Sequence, residues 1–327
     1  MWFRNLQIYR LPADWNIELQ DFDDALARKP FHPCGSQDME SRGWLPPLPD
    51  GALVHATGGQ WLIALGSEHR LLPAAVVREE AEERAAELAE QQGYKLGRKQ
   101  MKELREQVEQ ELMPRAFTRR RRTLAWIDPK AGWLVVDAAS QSKAEDVLEQ
   151  LRHTLDSFPL RLLRTERSPA SAMADWLAGG EAPAGFTIDQ DCELRSLSED
   201  KAAVRYLRHP LEGDEIRAHL ESGKLPTRLA LSFDDRISFV LTEKLEVKRL
   251  DFLDVVREQL GSDHDDAAAL FAAEFALMTG ELLHLLPAIV EALGGELAAE
   301  AAPGTGQPAA DRAAHAEPAL ATDDPPF

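Results

Sequence analysis

Cysteine is nearly absent from this chain: Cys34 and Cys192 are the only two in 327 residues. Two isolated thiols make no disulfide framework, and neither sits in a CxxC or Cys/His spacing that would hold zinc. A reduced, cytoplasmic setting is the expectation. Also missing is any uncharged apolar run approaching the ~18 residues that cross a bilayer, so no membrane partner is expected. Met1–Arg10 alternates like a strand and lacks the continuous apolar stretch of a secretory signal. The patterns GxxxxGK(S/T), GxGxxG, HExxH and GxSxG do not occur. Asp263-His264-Asp265-Asp266 resembles a metal cluster but stands where a helix should begin, so it reads as N-capping. Cys34 beside Gly35 reads as a small residue in a turn. No catalytic residue, cofactor or metal is expected, and the chain does not read as an enzyme.

Positive charge is scarce overall, at a net of −19, but it is unevenly placed. From Gly261 onward there are twelve acids and one base, so that stretch carries −11 and residues 1–260 carry −8. Lys95 to Arg122 holds ten bases against four acids, a local +6. Met113–Arg122 packs five arginines around one aromatic, Phe117, between an expected helix and an expected strand. Guanidinium groups match phosphate oxygens, and neutralising phosphates releases counterions. Arg115, Arg119, Arg120, Arg121 and Arg122, with Lys95, Arg98, Lys99 and Lys102, are therefore the candidate DNA contacts. Four consecutive arginines entering a strand cannot all face one way, so two or three would reach DNA. A weaker set, Lys224, Arg228, Arg236, Lys244, Lys248 and Arg249, is interleaved with acids and reads as surface ion pairs.

Gly51–Leu65 suggests a hairpin turning at Gly58-Gly59, and Arg122–Ala139 a second with strands Thr123–Ile127 and Trp133–Val136. Pro73–Leu112 is rich in helix formers and interrupted by Gly93 and Gly97, which fits a helical hairpin or one bent rod. A helix is expected over Lys143–Leu155 with Ser142 as N-cap. A strand–strand–helix unit is expected over Arg228–Leu260, with Asp251–Leu260 helical. Asp265–Leu293 is an apolar helical stretch in which Pro287 should kink or break the helix. The fold class is α+β: antiparallel sheets from ββα-type units with a long helical protrusion. The expected division is residues 1–75, the N-terminal part of a central α+β region, and 76–122, a helical protrusion ending in the arginine segment. Residues 123–260 form an α+β region, 261–295 a C-terminal helical region, and 296–327 a disordered acidic tail.

Several blocks resemble one family. Phe31-His32-Pro33-Cys34-Gly35-Ser36-Gln37-Asp38-Met39 with Gly43-Trp44-Leu45-Pro46-Pro47 is similar to the N-terminal pattern of the RdgC family. So are Leu112-Met113-Pro114-Arg115-Ala116-Phe117, Trp126-Ile127-Asp128, Lys143-Ala144-Glu145-Asp146 and Leu277-Met278-Thr279-Gly280-Glu281-Leu282. The resemblance runs in order from Trp2 to about Gly295. It implies a ring-forming homodimer that encircles double-stranded DNA without sequence preference, holds single strands more weakly, and antagonises a RecA-type recombinase at the nucleoid. By position, Phe117 and Arg115 fall on one ring contact and Arg208 and His209 on the other. Relatives can carry Lys-Gln at that second place, so its chemistry differs here. The rival classes are a protein-interaction adaptor using the 73–112 helices and, more remotely, a nuclease.

Overall fold

In a computed structural model, the described residues are 1–49, 51–197, 201–261 and 266–297, and Met1–Glu296 form one compact unit. In chain order the elements are β1 (Gln7–Arg10), α1 (Leu19–Ala27), β2 (Glu40–Leu45), β3 (His55–Thr57), β4 (Gln60–Leu71), α2 (Ala74–Gln92) and α3 (Arg98–Leu112). Then come β5 (Phe117–Asp128), β6 (Trp133–Val136), α4 (Gln141–Thr154), β7 (Arg161–Leu162), α5 (Pro169–Gly179), β8 (Phe186–Ser196) and β9 (Ala203–Tyr206). Last are α6 (Asp214–Glu221), β10 (Lys224–Phe233), β11 (Ile237–Thr242), β12 (Val247–Phe252), α7 (Asp254–Arg257) and α8 (Ala267–Ala292).

The strands form two antiparallel sheets, as the α+β reading expects. The first runs β2-β4-β5-β6-β1-β7, with β3 also on β4, and the second runs β12-β11-β10-β8-β9. Alternation gives the first sheet two apolar faces. Ile63, Leu65, Ala125, Ile127, Leu134 and Val136 meet α1 and α4, where Trp15, Phe22, Trp44 and Leu151 complete one core. On the opposite face Ile8, Leu62, Trp126 and Val135 join Leu229, Leu231, Phe239 and Leu241 of the second sheet and Phe275, Met278, Leu282 and Leu286 of α8. Leu6 stitches the two sheets by exchanging backbone hydrogen bonds with Val247 at 2.8 and 3.1 Å.

The helical protrusion is an antiparallel pair. Val77, Ala81 and Ala85 of α2 pack on Leu104 and Val108 of α3, and Arg84 joins Glu80 (2.8 Å) to Glu111 (2.5 Å) across it. Gly93, at φ 78°, supplies the left-handed residue that ends α2.

Several expectations are corrected. β5 starts at Phe117, not Thr123, so the arginines are inside a strand. α4 begins at Gln141, placing Ser140 rather than Ser142 at its cap. Residues 247–252, partly assigned to a helix, form β12, and the helical turns start at Asp254. Pro287 does not break α8, which continues from Ala267 to Ala292 with the proline inside. By length and composition α8 could span a membrane, but Phe275, Met278, Leu282, Leu285, Leu286 and Ile289 bury it in the core. The expected tail lies, beyond Leu297, outside the described residues.

Candidate nucleic-acid interface

β4 and β5 pair without interruption from Trp61↔Ile127 to Leu71↔Phe117. β6 meets only Ala125–Asp128, so the arginine half of β5 is an edge of the sheet, where among the described residues its one partner strand is β4, itself backed by β2. Strand alternation then sorts the run. Phe117, Arg119 and Arg121 share the face of Ala125 and Ile127, while Arg120 and Arg122 share that of Trp126.

On the first face Arg119 stands opposite His69 and Arg121 opposite Ser67, and both arginines are exposed. The acids nearby are already engaged: Arg42 of β2 pairs with Glu40, with Asp146 (3.0 Å) and with Glu149 (3.2 Å). Neither Arg119 nor Arg121 makes a side-chain ion pair or hydrogen bond with any described residue. The second face differs. Arg120 donates to Glu68 at 2.8 Å, its guanidinium 5.8 Å from the Phe31 ring. Glu68, only 3% exposed, also accepts the Cys34 amide at 2.6 Å. That amide and the Arg120 side chain hold its carboxyl below the usual carboxylate range against the opposing effect of burial. Arg122 donates to the Pro47 carbonyl at 3.1 Å. This face is roofed by the 30–34 segment: a Cβ at Gly43 would lie 2.4 Å from the Phe31 backbone, and at Gly66 2.9 Å from its ring. Of the four consecutive arginines, two are tied to the protein and two have no partner among the described residues.

Arg70 sets the corner that leads into β5. Its guanidinium donates to the carbonyls of Asp38 (3.0 Å), Met113 (2.8 Å), Ala116 (3.3 Å) and Gly35 (2.9 Å). This pins the 3-10 turn Met113–Arg115 to the 35–38 loop, and from it Arg115 and Phe117 project. Phe117 is 84% exposed, which rules out the core fate open to it from sequence. No local pattern marks Arg70 or Glu68, because their partners come from loops far along the chain.

Lys95, Arg98, Lys99 and Lys102 are exposed at the opposite end of the helical hairpin. Lys99 and Lys102 approach Glu103 (3.9 Å) and Glu106 (3.6 Å), loose exposed pairs of little energetic weight. α3 has 15 residues, about 22 Å at 1.5 Å per residue, so these cations are not gathered with the arginine strand. Arg208 and His209 lie elsewhere again, after the edge strand β9 of the second sheet. The Arg208 amide donates to Asp191 at 2.9 Å from a left-handed backbone (φ 52°), and His209 approaches Glu215 at 3.3 Å. Three of the six in the second basic set are ion-paired: Arg236 with Glu281, Lys248 with Glu246 (3.1 Å) and Arg249 with Asp191 (3.4 Å).

Burial and the nearby Glu68 raise the Cys34 thiol, and burial lifts that of Cys192 to about 12, so neither has the lowered pKa of a nucleophile. Asp266 caps α8 by accepting the Ala269 amide at 2.6 Å; Asp263–Asp265 lie outside the described residues. Among the described residues no three His, Cys, Asp or Glu side chains converge to hold a metal ion.

Fold and site together define a class, an α+β protein of two antiparallel sheets that carries a cationic ribbon and a helical arm. The chain belongs to the RdgC family, whose sequence model, described as "Putative exonuclease, RdgC", matches residues 1–296. Proteins named recombination-associated protein RdgC are similar to it over nearly their whole length. That of Dechloromonas aromatica is 62% identical over 91% of this chain and 99% of its own. Those of Cupriavidus pinatubonensis and Herminiimonas arsenicoxydans are each 51% identical, over 90% and 91% of this chain and 99% of their own.

Proposed function

We propose that this protein binds double-stranded DNA through its phosphates, without reading bases, as a homodimer closed around the duplex, and so limits a RecA-type recombinase. One observation carries the reading: in a chain of net charge −19, Arg119 and Arg121 stand exposed and unpaired beside Arg115 on a projecting strand. Phosphate contacts of this kind fix register and orientation but carry no sequence information. The names of the relatives, all recombination-associated, fit the same reading. Phe117 lies on β5 of the first sheet and the Arg208–His209 loop follows β9 of the second, which leaves room for two separate ring contacts.

The test is a salt titration on random-sequence duplex, linear and closed circular. Log affinity should fall against log salt by about 0.9 per phosphate contacted, about 3 per protomer. Closed circles should stay bound in salt that releases linear DNA. Phe117→Ala should leave a folded dimer that binds short linear duplex and loses retention on circles. A salt-independent affinity would refute the phosphate half of the reading. Circles released by wild type as readily as linear DNA would refute the ring, and retention unchanged in the variant would show that the ring does not close through Phe117. The exonuclease wording of the family description is checked alongside, by end-labelled duplex with magnesium; the reading expects intact DNA.

A further inference from the structure

The tip of the helical hairpin sets an exposed aromatic ring among cations, as the arginine strand does with Phe117, but at the far end of α3 from it. Residues 91–102 contain Lys95, Arg98, Lys99 and Lys102 and no acid at all. Within them the connection between α2 and α3 holds two large side chains with opposite fates. Leu96 packs against the small core of Val77, Leu104 and their neighbours, anchoring the loop. Tyr94 is 59% exposed, and among the described residues it has no ring neighbour and no side-chain hydrogen bond. Gly93 on one side and the Gly97–Gln100 capping contact (3.0 Å) on the other fix the ends of this short loop. A single exposed aromatic is unremarkable by itself. One exposed in a loop whose flanking residues supply four exposed cations and no acid is not explained by folding.

An exposed aromatic face among cations is an arrangement that holds unpaired nucleic acid. Bases stack on the ring whatever their identity, while cations follow the backbone. A paired base in an intact duplex offers no free face to such a ring. We propose that the hairpin tip is a second nucleic-acid contact, with Tyr94 as a stacking platform for an unpaired base in single-stranded or frayed DNA. This rests on the DNA-binding reading above but assigns the tip a different ligand from the arginine strand.

The test uses the full chain and an oligonucleotide of about twenty nucleotides carrying one 2-aminopurine, alone and as a blunt duplex. Stacking on an aromatic ring quenches 2-aminopurine. Wild type and Tyr94→Phe should quench the single strand on binding. Tyr94→Ala should lose the quench and weaken single-strand binding about tenfold or more, with duplex affinity changed less than about twofold. Since neither substitution alters charge, the salt slope should stay put. Lys95→Ala with Arg98→Ala should instead lower the single-strand slope by about 1.4. The proposal falls if Tyr94→Ala keeps the quench, or if it weakens duplex and single strand alike. If wild type binds duplex and ignores the single strand, this inference alone fails; if it binds neither, the DNA-binding reading fails with it.

Discussion

Residues Phe117–Arg122 and Ala125–Asp128 belong to one strand and share one partner, β4, yet the first group is exposed and the second buried. The difference comes from what lies on the other edge of β5 and on its faces. Ala125–Asp128 gain β6 as a second neighbour and a packed layer on each face, whereas the arginine half has no described strand on that edge and is covered on one face only, by the 30–34 segment. Position relative to the layers, then, decides whether a β-residue is structural or available. The arginines of the second sheet make the same point from the other side. Arg205 lies opposite Glu193 and is tied to it by two hydrogen bonds, of 3.1 and 2.5 Å, so its charge is already spent.

The contrast can be broken most severely from the buried half. Trp126→Ala removes a fully buried ring between the two sheets and should cost about 3–5 kcal/mol in urea unfolding, with DNA binding lost only as the fold is lost. Arg119→Ala with Arg121→Ala should do the reverse. The melting temperature should hold, duplex affinity should fall uniformly across sequences, and the salt slope should shrink by about two. Arg205→Ala, the matched control, should leave that slope unchanged.

A smaller effect is expected from acid. Glu68 has a folded pKa below its ordinary 4.5, so its contribution to stability is present above that value and is lost as pH falls through the lowered folded one. Arg120→Ala should raise the folded pKa back toward 4.5 and flatten the decline in urea midpoint below pH 4.5. An equally steep decline in the variant would mean that Arg120 does not stabilise the carboxylate. Smallest of all, Lys99→Ala should change stability by no more than about 0.5 kcal/mol, because its pair with Glu103 is loose and exposed.

Local patterns made the helical hairpin, the Gly58-Gly59 turn and the β10–β11 pair legible, since turn residues and helix formers act within a few positions. β12 was not legible. Arg249 adopts a left-handed φ of 50° at a register shift, which breaks the alternation of Val247, Leu250 and Phe252. The start of β5 was missed for the opposite reason: a strand polar on both faces has no alternation to read, and its extent is set by β4, some fifty residues earlier. The candidate contacts were named from charge alone. Only long-range pairing separates free Arg119 and Arg121 from tethered Arg120 and Arg122, and the tip cations from the strand. The acidic context of the second basic set, by contrast, was visible in the sequence, and three of its six cations are ion-paired.

The projecting half of β5 has one more property, which concerns solubility. From Phe117 to Thr123 no described strand pairs with its outer edge, leaving backbone donors and acceptors open to another chain. Open edges of that length invite sheet-to-sheet association, and proteins commonly guard them with charge. Here four arginines stand on that guard, repelling the same edge of another copy. A bound polyanion would cancel that repulsion and let two such edges approach.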